Sequence, residues 1–452
     1  MSLLSESRLD EILRAQNPWW TTGSLPQRAF STQPRRPDAQ LKETGRATLV
    51  VGPRRSGKTA TLLRLVDAHL RSDGRPRDVA YLPLDHPLLR LAPLGLLVDR
   101  ALKLMEARER PRLLLDGLQA LPQWPERFVE VVKTRPYPRL TGAAAVAPGV
   151  EESCFDTVHL PTLSFREFCD LRGIPDLGAP LLDPLKPRMP EESDTADDRL
   201  FGRVLDPLLA DYLVRGGFPE CVLEPDPAVG HQLVREEVVA RAVYQDLPAV
   251  VGVLKLADLE RVLLAALLQG GSPLAMEGLC DALELDQKTV HRYFDHLQRV
   301  FLLTSLKNFA AATDRSRARL HATDPALANA LCERGAAVLA RAQERRSLLA
   351  GAVVAHVQRA ARERGLDVAY FREGDLGAEA LLVTPEGAVP ILLLDQDEAA
   401  EEDAAAAERL LKRVHGGSAF VLSRGGPRRR APLTFFETVY HLPAAYFLYA
   451  LG

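Results

Sequence analysis

Residues 47–59 read Ala-Thr-Leu-Val-Val-Gly-Pro-Arg-Arg-Ser-Gly-Lys-Thr, an apolar run followed by a glycine-rich loop. The loop over 52–59 has the spacing Gly-x-x-x-x-Gly-Lys-Thr, in which the two glycines let successive backbone N–H groups turn towards an anion. The apolar run suits a buried parallel strand, and leucines and a valine at helical spacing follow the loop. Strand, loop and helix in this order are typical of a phosphate-binding loop. We therefore predict that Lys58 binds outer phosphates and that the Thr59 hydroxyl is a Mg²⁺ ligand.

Bulk composition indicates an ordinary water-soluble protein of several domains. The chain has 452 residues, which is too long for a single hydrophobic core. Its 46% hydrophobic and 26% charged residues are ordinary for a globular protein. Its net charge of −3 gives no overall basic surface, so DNA contact would need a local patch. No apolar run approaches the ~18 residues of a membrane helix, and no signal peptide is recognisable, so we expect a cytoplasmic protein without a membrane partner. The five cysteines lie far apart, which favours free thiols over a zinc or disulfide framework.

Strand and helix patterns alternate over residues 46–160. Val79–Leu84 and Leu113–Leu115 are strand candidates that each end at an aspartate, and a short strand over Arg139–Thr141 is predicted to stop at Gly142. This alternation predicts a parallel sheet covered by helices on both faces, the α/β class. A phosphate loop needs an acid on its Mg²⁺ side, and Asp116 is our candidate, the alternative being an ordinary strand-end aspartate.

Several further motifs give the chain a specific resemblance. It is similar to the prokaryotic AAA-type P-loop ATPase family that carries a C-terminal domain of uncharacterised function. The resemblance spans nearly the whole chain and rests on Asn17-Pro18-Trp19-Trp20, Gly52–Thr59, Leu113–Asp116 with Gln119, Thr141-Gly142, Leu163-Ser164-Phe165-Arg166-Glu167-Phe168 and Gly216-Gly217-Phe218-Pro219-Glu220.

The resemblance implies an AAA-like P-loop NTPase sheet with a helical lid, a winged helix-turn-helix and a smaller, restriction-nuclease-like α/β domain. ATP and Mg²⁺ are the implied cofactors, with a homo-oligomer or a protein partner possible. The predicted domains are 1–45, an N-terminal helix and connector; 46–160, the ATP-binding core; 161–250, the lid, with a surface loop over 173–198; 251–325, the winged helix; and 326–452, the nuclease-like domain. The predicted nucleotide-contacting residues are Gly52, Pro53, Arg54, Arg55, Ser56, Gly57, Lys58, Thr59, Asp116 and Pro219.

Some of these roles have plainer alternatives. Arg54 and Arg55 either neutralise phosphate charge, act on a neighbouring subunit or occupy a solvated loop, which is the favoured interpretation. The resemblance makes Pro219 a base contact, although Gly-Phe-Pro also serves as a helix stop. Thr141 is either a γ-phosphate sensor or a strand-end residue with a backbone role.

The sequence departs from the family pattern at catalytic positions. Gly117 stands where ATP-hydrolysing relatives have a water-positioning Glu, and loss of a general base costs about 10²–10⁴ in rate. Ala143 replaces a polar sensor, and Cys154–Thr157 lacks the Arg expected there. In the last domain, apolar residues stand where nuclease carboxylates and a lysine are expected, at Ala355, Leu381, Leu392 and Leu394. Nuclease activity is therefore not expected, and the nearby Glu373, Asp375 and Glu379 are interpreted as solvated loop charges.

Three hypotheses remain open for function. The first is an ATP-binding switch with weak or no hydrolysis, and the second is an ATPase that completes its site from a partner subunit. The third is a DNA-binding regulator or scaffold. Its winged helix would present Gln287, Lys288, His291, Arg292 and Asp295, a weak DNA surface because an acid lies among the positive groups.

Overall fold

Two compact units make up the chain in a computed structural model. Unit 1 comprises Met1–Thr162, Glu237–Leu256 and Arg299–Phe301, and unit 2 comprises Leu163–Glu236, Ala257–Gln298 and Leu302–Gly452. The structure describes residues 5–26, 35–36, 38, 41, 46–72, 74–106, 110–149, 153–179, 181–187, 195–252, 255–272, 276–311, 318–396, 401–426, 428–432 and 437–452.

Strands and helices have the following bounds. The strands are β1 (Ala47–Val51), β2 (Val79–Pro83), β3 (Arg112–Asp116), β4 (Arg139–Ala144), β5 (Phe155–His159), β6 (Leu303–Leu306), β7 (Arg319–Ala322), β8 (Asp367–Glu373), β9 (Leu376–Thr384), β10 (Gly387–Leu393), β11 (Ser418–Ser423), β12 (Arg429–Pro432) and β13 (Thr438–Pro443). The helices are α1 (Glu6–Gln16), α2 (Trp19–Thr22), α3 (Lys58–Arg71), α4 (Leu94–Met105), α5 (Trp124–Thr134), α6 (Phe165–Leu171), α7 (Thr195–Arg215), α8 (Pro219–Leu223), α9 (Pro227–Leu233), α10 (Leu247–Val251), α11 (Leu256–Gln269), α12 (Met276–Leu283), α13 (Gln287–Arg299), α14 (Pro325–Leu331), α15 (Ala342–Arg362), α16 (Glu401–Val414) and α17 (Ala444–Leu451).

Unit 1 is built on a parallel sheet of five strands in the order β2-β3-β4-β1-β5. The prediction of a parallel α/β sheet is confirmed. Leu113, Leu114 and Leu115 are fully buried, as expected for a central strand with both faces covered. One face packs against α1, α4 and α5, and the other packs against α2 and α3. Strand β1 leads into the phosphate loop, and strand β3 ends at Asp116. In this order the two strands lie on either side of β4.

The N-terminal tryptophans are part of unit 1. Trp19 is buried, and the indole N–H groups of Trp19 and Trp20 both donate to the Val79 carbonyl oxygen, at 3.1 and 2.9 Å. Asn17 pairs with the backbone of Tyr81, donating to its oxygen at 3.0 Å and accepting from its nitrogen at 2.7 Å. These contacts fix the N-terminal segment against the edge strand β2.

Two of the family-specific motifs have structural roles in unit 2. Ser164 caps α6 in a reciprocal capping box with Glu167, whose carboxylate also accepts from Arg359 at 2.8 Å. The Gly217 N–H donates to the Asp324 carboxylate at 2.8 Å, and Gly216 has a φ of 72°. A side chain at Gly216 would collide with that same carboxylate, so this turn requires glycine.

The C-terminal part of unit 2 contains a mixed sheet of six strands in the order β12-β13-β11-β10-β9-β8. Helix α16 packs on one face, and α15 and α17 contact strands of the same sheet. Leu381 and Leu392, which stand at two expected nuclease positions, are buried in the core under α16. An apolar, buried environment of this kind has no ligand for a metal ion.

Helices α11, α12 and α13 precede an antiparallel pair of strands, β6 and β7. The surface loop predicted over 173–198 overlaps α7, which begins at Thr195. No helix in the described ranges is both long and apolar enough to cross a membrane, and the five cysteines form no disulfide.

Candidate functional site

The phosphate loop lies between β1 and α3, as its sequence predicts. Gly57 has a φ of 98° and Arg55 a φ of 61°, so the loop passes twice through left-handed backbone conformations. A Cβ at Gly52 would collide with the backbone carbonyl oxygen of Leu160. Glycine is therefore required at 52 by packing against the chain after β5 and at 57 by backbone conformation.

Lys58 is folded back over its own loop. Its ammonium donates to the carbonyl oxygens of Gly52 and Pro53, at 2.9 and 2.6 Å. Burial lowers the pKa of Lys58 to about 8, and the charge of Arg54 adds to this effect, while Asp116 and Asp246 oppose it. The side chain is thus a desolvated cation held at the centre of the loop.

The Mg²⁺-side residues predicted from the sequence lie together. The Thr59 hydroxyl donates to Oδ2 of Asp116 at 2.6 Å, and the Tyr81 hydroxyl donates to the same oxygen at 2.7 Å. Burial raises the pKa of Asp116, although both hydrogen bonds and the charge of Lys58 favour the carboxylate. Burial and the adjacent Asp116 carboxylate also raise the pKa of Tyr81, which keeps that hydroxyl protonated as a donor.

A second acidic residue, Asp85, lies close to Gly117. Gly117 adopts a φ of 72°, and a Cβ built on it would lie 3.3 Å from the Cβ and 3.5 Å from the carboxyl carbon of Asp85. Asp85 follows β2, which pairs with β3, and its side chain is exposed. A carboxylate from the neighbouring strand therefore lies beside the position that lacks the expected Glu.

The two arginines of the loop are bound by acids far along the chain. Arg54 forms a bidentate ion pair with Asp246, both N···O distances being 2.6 Å. Arg55 donates to Glu237 at 2.8 Å. The interpretation of a solvated loop position is wrong for Arg54, whose side chain is 21% exposed against 3% for Asp246.

The 237–246 segment that carries these acids is mostly π-helical, over Val234–Ala240 and Ala242–Asp246. π-helical turns are rare and occur frequently at functional sites.

A further arginine supports the loop from outside the predicted core. Arg35 donates to the carbonyl oxygens of Ser56, Pro161 and Thr162 at 2.8, 2.7 and 3.0 Å. The Ser56 hydroxyl oxygen is buried and makes no hydrogen bond, so one polar atom of the loop remains unsatisfied.

Two other predicted residues belong to the interior of β4 and to unit 2. Thr141 pairs in register with Thr48 and Leu114, and β4 continues to Ala144, so the prediction that the strand stops at Gly142 is wrong. Three residues of strand place Thr141 about 10 Å before the carboxyl end, which argues against a sensor role. Pro219 belongs to unit 2, where it is the first residue of α8.

Sequence reasoning missed the partners that surround the loop. Tyr81 reads as an ordinary strand aromatic, and Arg35 lies in a polar connector without a periodic pattern. Asp246 and Glu237 lie more than 180 residues from their arginines, so no local signal pairs them. Asp85 was visible only as the acid that ends a strand.

The chemistry of the donor set fits a nucleotide with its metal ion. Backbone N–H groups and a buried ammonium suit phosphate oxygens, and a Thr hydroxyl beside an Asp carboxylate suits the oxygen shell of Mg²⁺. The unsatisfied Ser56 hydroxyl adds one free hydrogen-bonding group within the loop.

Comparisons with known proteins cover parts of the chain. Residues 206–338 match a domain of unknown function, DUF8612, and residues 44–169 match the AAA domain family. The solved Holliday junction branch migration motor RuvB of Thermotoga maritima is 12% identical, over 70% of this chain and 92% of that chain, with a TM-score of 0.27. A variant of the same motor is 15% identical with equal coverage and TM-score. No curated protein matches. The match to the AAA domain family and the strand order show that the five-stranded sheet of unit 1 has the fold of an AAA-type P-loop NTPase.

Proposed function

We propose that unit 1 binds ATP with Mg²⁺ and acts as a nucleotide-dependent switch with weak or no hydrolysis. The observation that carries this proposal is the 2.6 Å contact between Thr59 and Asp116 beside a complete phosphate loop. The backbone of residues 52–59 and Lys58 would hold the phosphates, and Thr59 with Asp116 would hold the metal shell. Bound Mg²⁺ supplies charge neutralisation at the outer phosphates.

The switch element in this proposal is the 237–246 segment. Arg54 and Arg55 lie inside the phosphate loop, and their guanidinium groups are held by Asp246 and Glu237. Phosphate oxygens and these carboxylates compete for the same donors, because both bind a guanidinium through charge-assisted hydrogen bonds. Nucleotide binding would therefore weaken the attachment of the segment to the loop.

The proposal is tested by calorimetric titration of the full chain with Mg·ATP and Mg·ADP. Lys58→Ala should weaken binding at least about tenfold, since it removes a charged hydrogen-bond donor. Lys103→Ala is the matched control, because Lys103 is exposed on α4 of the same unit. Hydrogen exchange of residues 237–246 should increase when nucleotide binds the wild type. Absence of nucleotide binding to the wild type would overturn the proposal.

A second candidate, a working ATPase, is favoured by the placement of Asp85. Asp85 follows the neighbouring strand β2, and its carboxyl carbon lies 3.5 Å from the position that a Cβ at 117 would take. There it would order the attacking water in place of the missing Glu. This version needs no residue from a partner subunit, unlike the hydrolysis hypothesis drawn from the sequence.

Turnover measurements separate the two candidates. If Asp85 positions the water, Asp85→Asn should lower turnover by about 10²–10⁴ while nucleotide affinity stays within a few-fold of wild type. Asp67→Asn, on α3 of the same unit, is the control. If wild-type turnover is no higher than that of Lys58→Ala, the ATPase candidate is rejected and the switch candidate is retained. Turnover that survives Asp85→Asn and rises with protein concentration would instead indicate a partner subunit.

The DNA-binding hypothesis gains no comparable observation. Three helices followed by a two-stranded antiparallel sheet are compatible with a winged helix. Lys288 and Arg292 are exposed on α13, but so is Asp295. The hypothesis stays a prediction, checked by measuring duplex DNA binding at two salt concentrations.

A further inference from the structure

Unit 2 contains a cleft of about 570 Å³ that is separate in sequence from the nucleotide site. We name it the arginine cleft, because its lining includes Arg319, Arg334, Arg346 and Arg372. These residues come from β7, the turn after α14, the start of α15 and the end of β8. Their convergence from four elements makes the cleft a feature of the fold.

Among the described residues that line the cleft, the positive charges outnumber the negative charges. Glu379 and Glu344 are the acids of the described lining. Glu379 accepts from both Arg319 and Arg346, at 2.8 and 2.7 Å, so one carboxylate serves two guanidinium groups. The interpretation of Glu379 as a solvated loop charge is therefore wrong: it lies on β9 and is 16% exposed.

Glu344 is also engaged, since it accepts from Arg341 at 3.2 Å at the start of the same helix. Within the described ranges, neither Arg334 nor Arg372 has an ion-pair partner. Two guanidinium groups thus face solvent-accessible space without a carboxylate. Unpaired arginines in a concave site favour an anionic ligand.

Arg319 is held rigidly in the wall of the cleft. Its side chain is 12% exposed, and its guanidinium carbon lies 4.4 Å from the centre of the Tyr370 ring. The Nε atom of Arg319 is buried and makes no hydrogen bond. The Oε1 atom of Gln269, which also lines the cleft, is likewise buried and accepts no hydrogen bond. Donors fixed in this way bind an anion without the entropic cost of ordering a flexible side chain.

The remaining lining decides the class of anion. Gln269, Ser272, Gln343 and Ser347 add polar groups, and no aromatic side chain is among the described lining residues. A stacked base therefore has no platform there. The volume lies within the usual range of small-molecule sites, roughly 300–1,000 Å³.

We propose that the arginine cleft binds a small anion carrying at least two phosphate groups, with pyrophosphate as the simplest example. Arg334 and Arg372, which have no ion pair among the described residues, would donate directly to the phosphate oxygens. Arg319 and Arg346, oriented by Glu379, would complete the site. This site is independent of the phosphate loop, and neither proposal requires the other.

The test uses the full chain with Lys58→Ala, so that phosphate binding at the loop is already weakened. Pyrophosphate is titrated calorimetrically into this protein and into versions that also carry Arg334→Gln or Arg372→Gln. Each further substitution should raise the Kd at least about tenfold, since each removes a charged hydrogen-bond donor. Both side chains lack an ion pair, so the fold should be preserved, as thermal unfolding will show.

Arg409→Gln is the matched control, because Arg409 is exposed on α16 and does not line the cleft. It changes the net charge equally and should leave the Kd unchanged. No pyrophosphate binding to the Lys58→Ala chain would overturn the proposal, as would an equal loss in Arg409→Gln. Binding of a single-stranded oligonucleotide that depends on Arg334 and Arg372, without pyrophosphate binding, would also overturn it in favour of a nucleic-acid surface.

Discussion

Replacing Asp246 by asparagine should tighten nucleotide binding and at the same time destabilise the fold. Asp246 is almost fully buried, and both of its oxygens accept from Arg54 at 2.6 Å. Asparagine keeps the shape and one acceptor but loses the charge and the second acceptor. A hydrogen bond to a charged group contributes about 1.5–3 kcal/mol, so the free energy of unfolding should fall by about 2 kcal/mol.

The gain in affinity follows from the released guanidinium. Arg54 lies in the phosphate loop, and without Asp246 it is available to phosphate oxygens. One charge-assisted hydrogen bond at the lower end of that range lowers the Kd roughly tenfold. The two effects have opposite signs, which distinguishes them from general damage to the site.

Calorimetry with Mg·ADP and urea unfolding measure the two quantities on the same preparation. The Arg54→Gln/Asp246→Asn double variant should lose the affinity gain, since no guanidinium remains to be released. Glu237→Gln is the milder comparison, because its partner Arg55 is 41% exposed and the pair is screened by solvent. Unchanged or weaker binding in a folded Asp246→Asn protein would refute the competition between carboxylate and phosphate.

Further substitutions and acidification test other contacts. Gly52→Ala should cost at least about 3 kcal/mol in urea unfolding because its Cβ meets a backbone carbonyl, whereas Gly278→Ala, in open space, should cost nothing. Tyr81→Phe removes one donor to Asp116 and should cost about 1–2 kcal/mol while Mg·ADP binding persists, and loss of binding would contradict this. Burial lowers the pKa of His356 to about 3, below its unfolded value, so stability is complete above about pH 6.5 and lost as pH falls towards 3. Between pH 7 and 5 His356 should contribute a loss of about 2 kcal/mol by urea unfolding, and His321, whose pKa burial lowers to about 4, should add a similar loss; equal stability at both pH values would exclude both contributions.

Local patterns predicted the centre of the site. The run over 47–59 contains the strand and the loop, the helical pattern follows directly, and each of these depends mainly on its own neighbours. Asp116 was predictable because an apolar strand that ends in an acid is equally local. The same holds for Gly57, whose left-handed backbone conformation favours glycine, whereas Gly52 is required by packing against the distant Leu160.

Long-range pairing was beyond such patterns. From the sequence, Arg54 looks like an exposed loop residue. Its ion pair forms only because the chain returns to the loop at Asp246, 192 residues later. Glu379 likewise resembles a surface charge until β7 and α15 bring two arginines to it. For Thr141 the sequence left a sensor role and a backbone role open, and strand register places the residue inside β4, three residues before its end.

Unit 1 is built from three separate segments of the chain, and this has a consequence for synthesis on the ribosome. Its last residues, Arg299–Phe301, emerge after part of unit 2 has already been made. Val250 and Phe301 pack against the core that the first 162 residues build, so the nascent domain exposes that apolar surface until they arrive. A gene fragment that stops at 162 would therefore encode an unfinished domain without Asp246, and such truncations are poor surrogates for the intact protein.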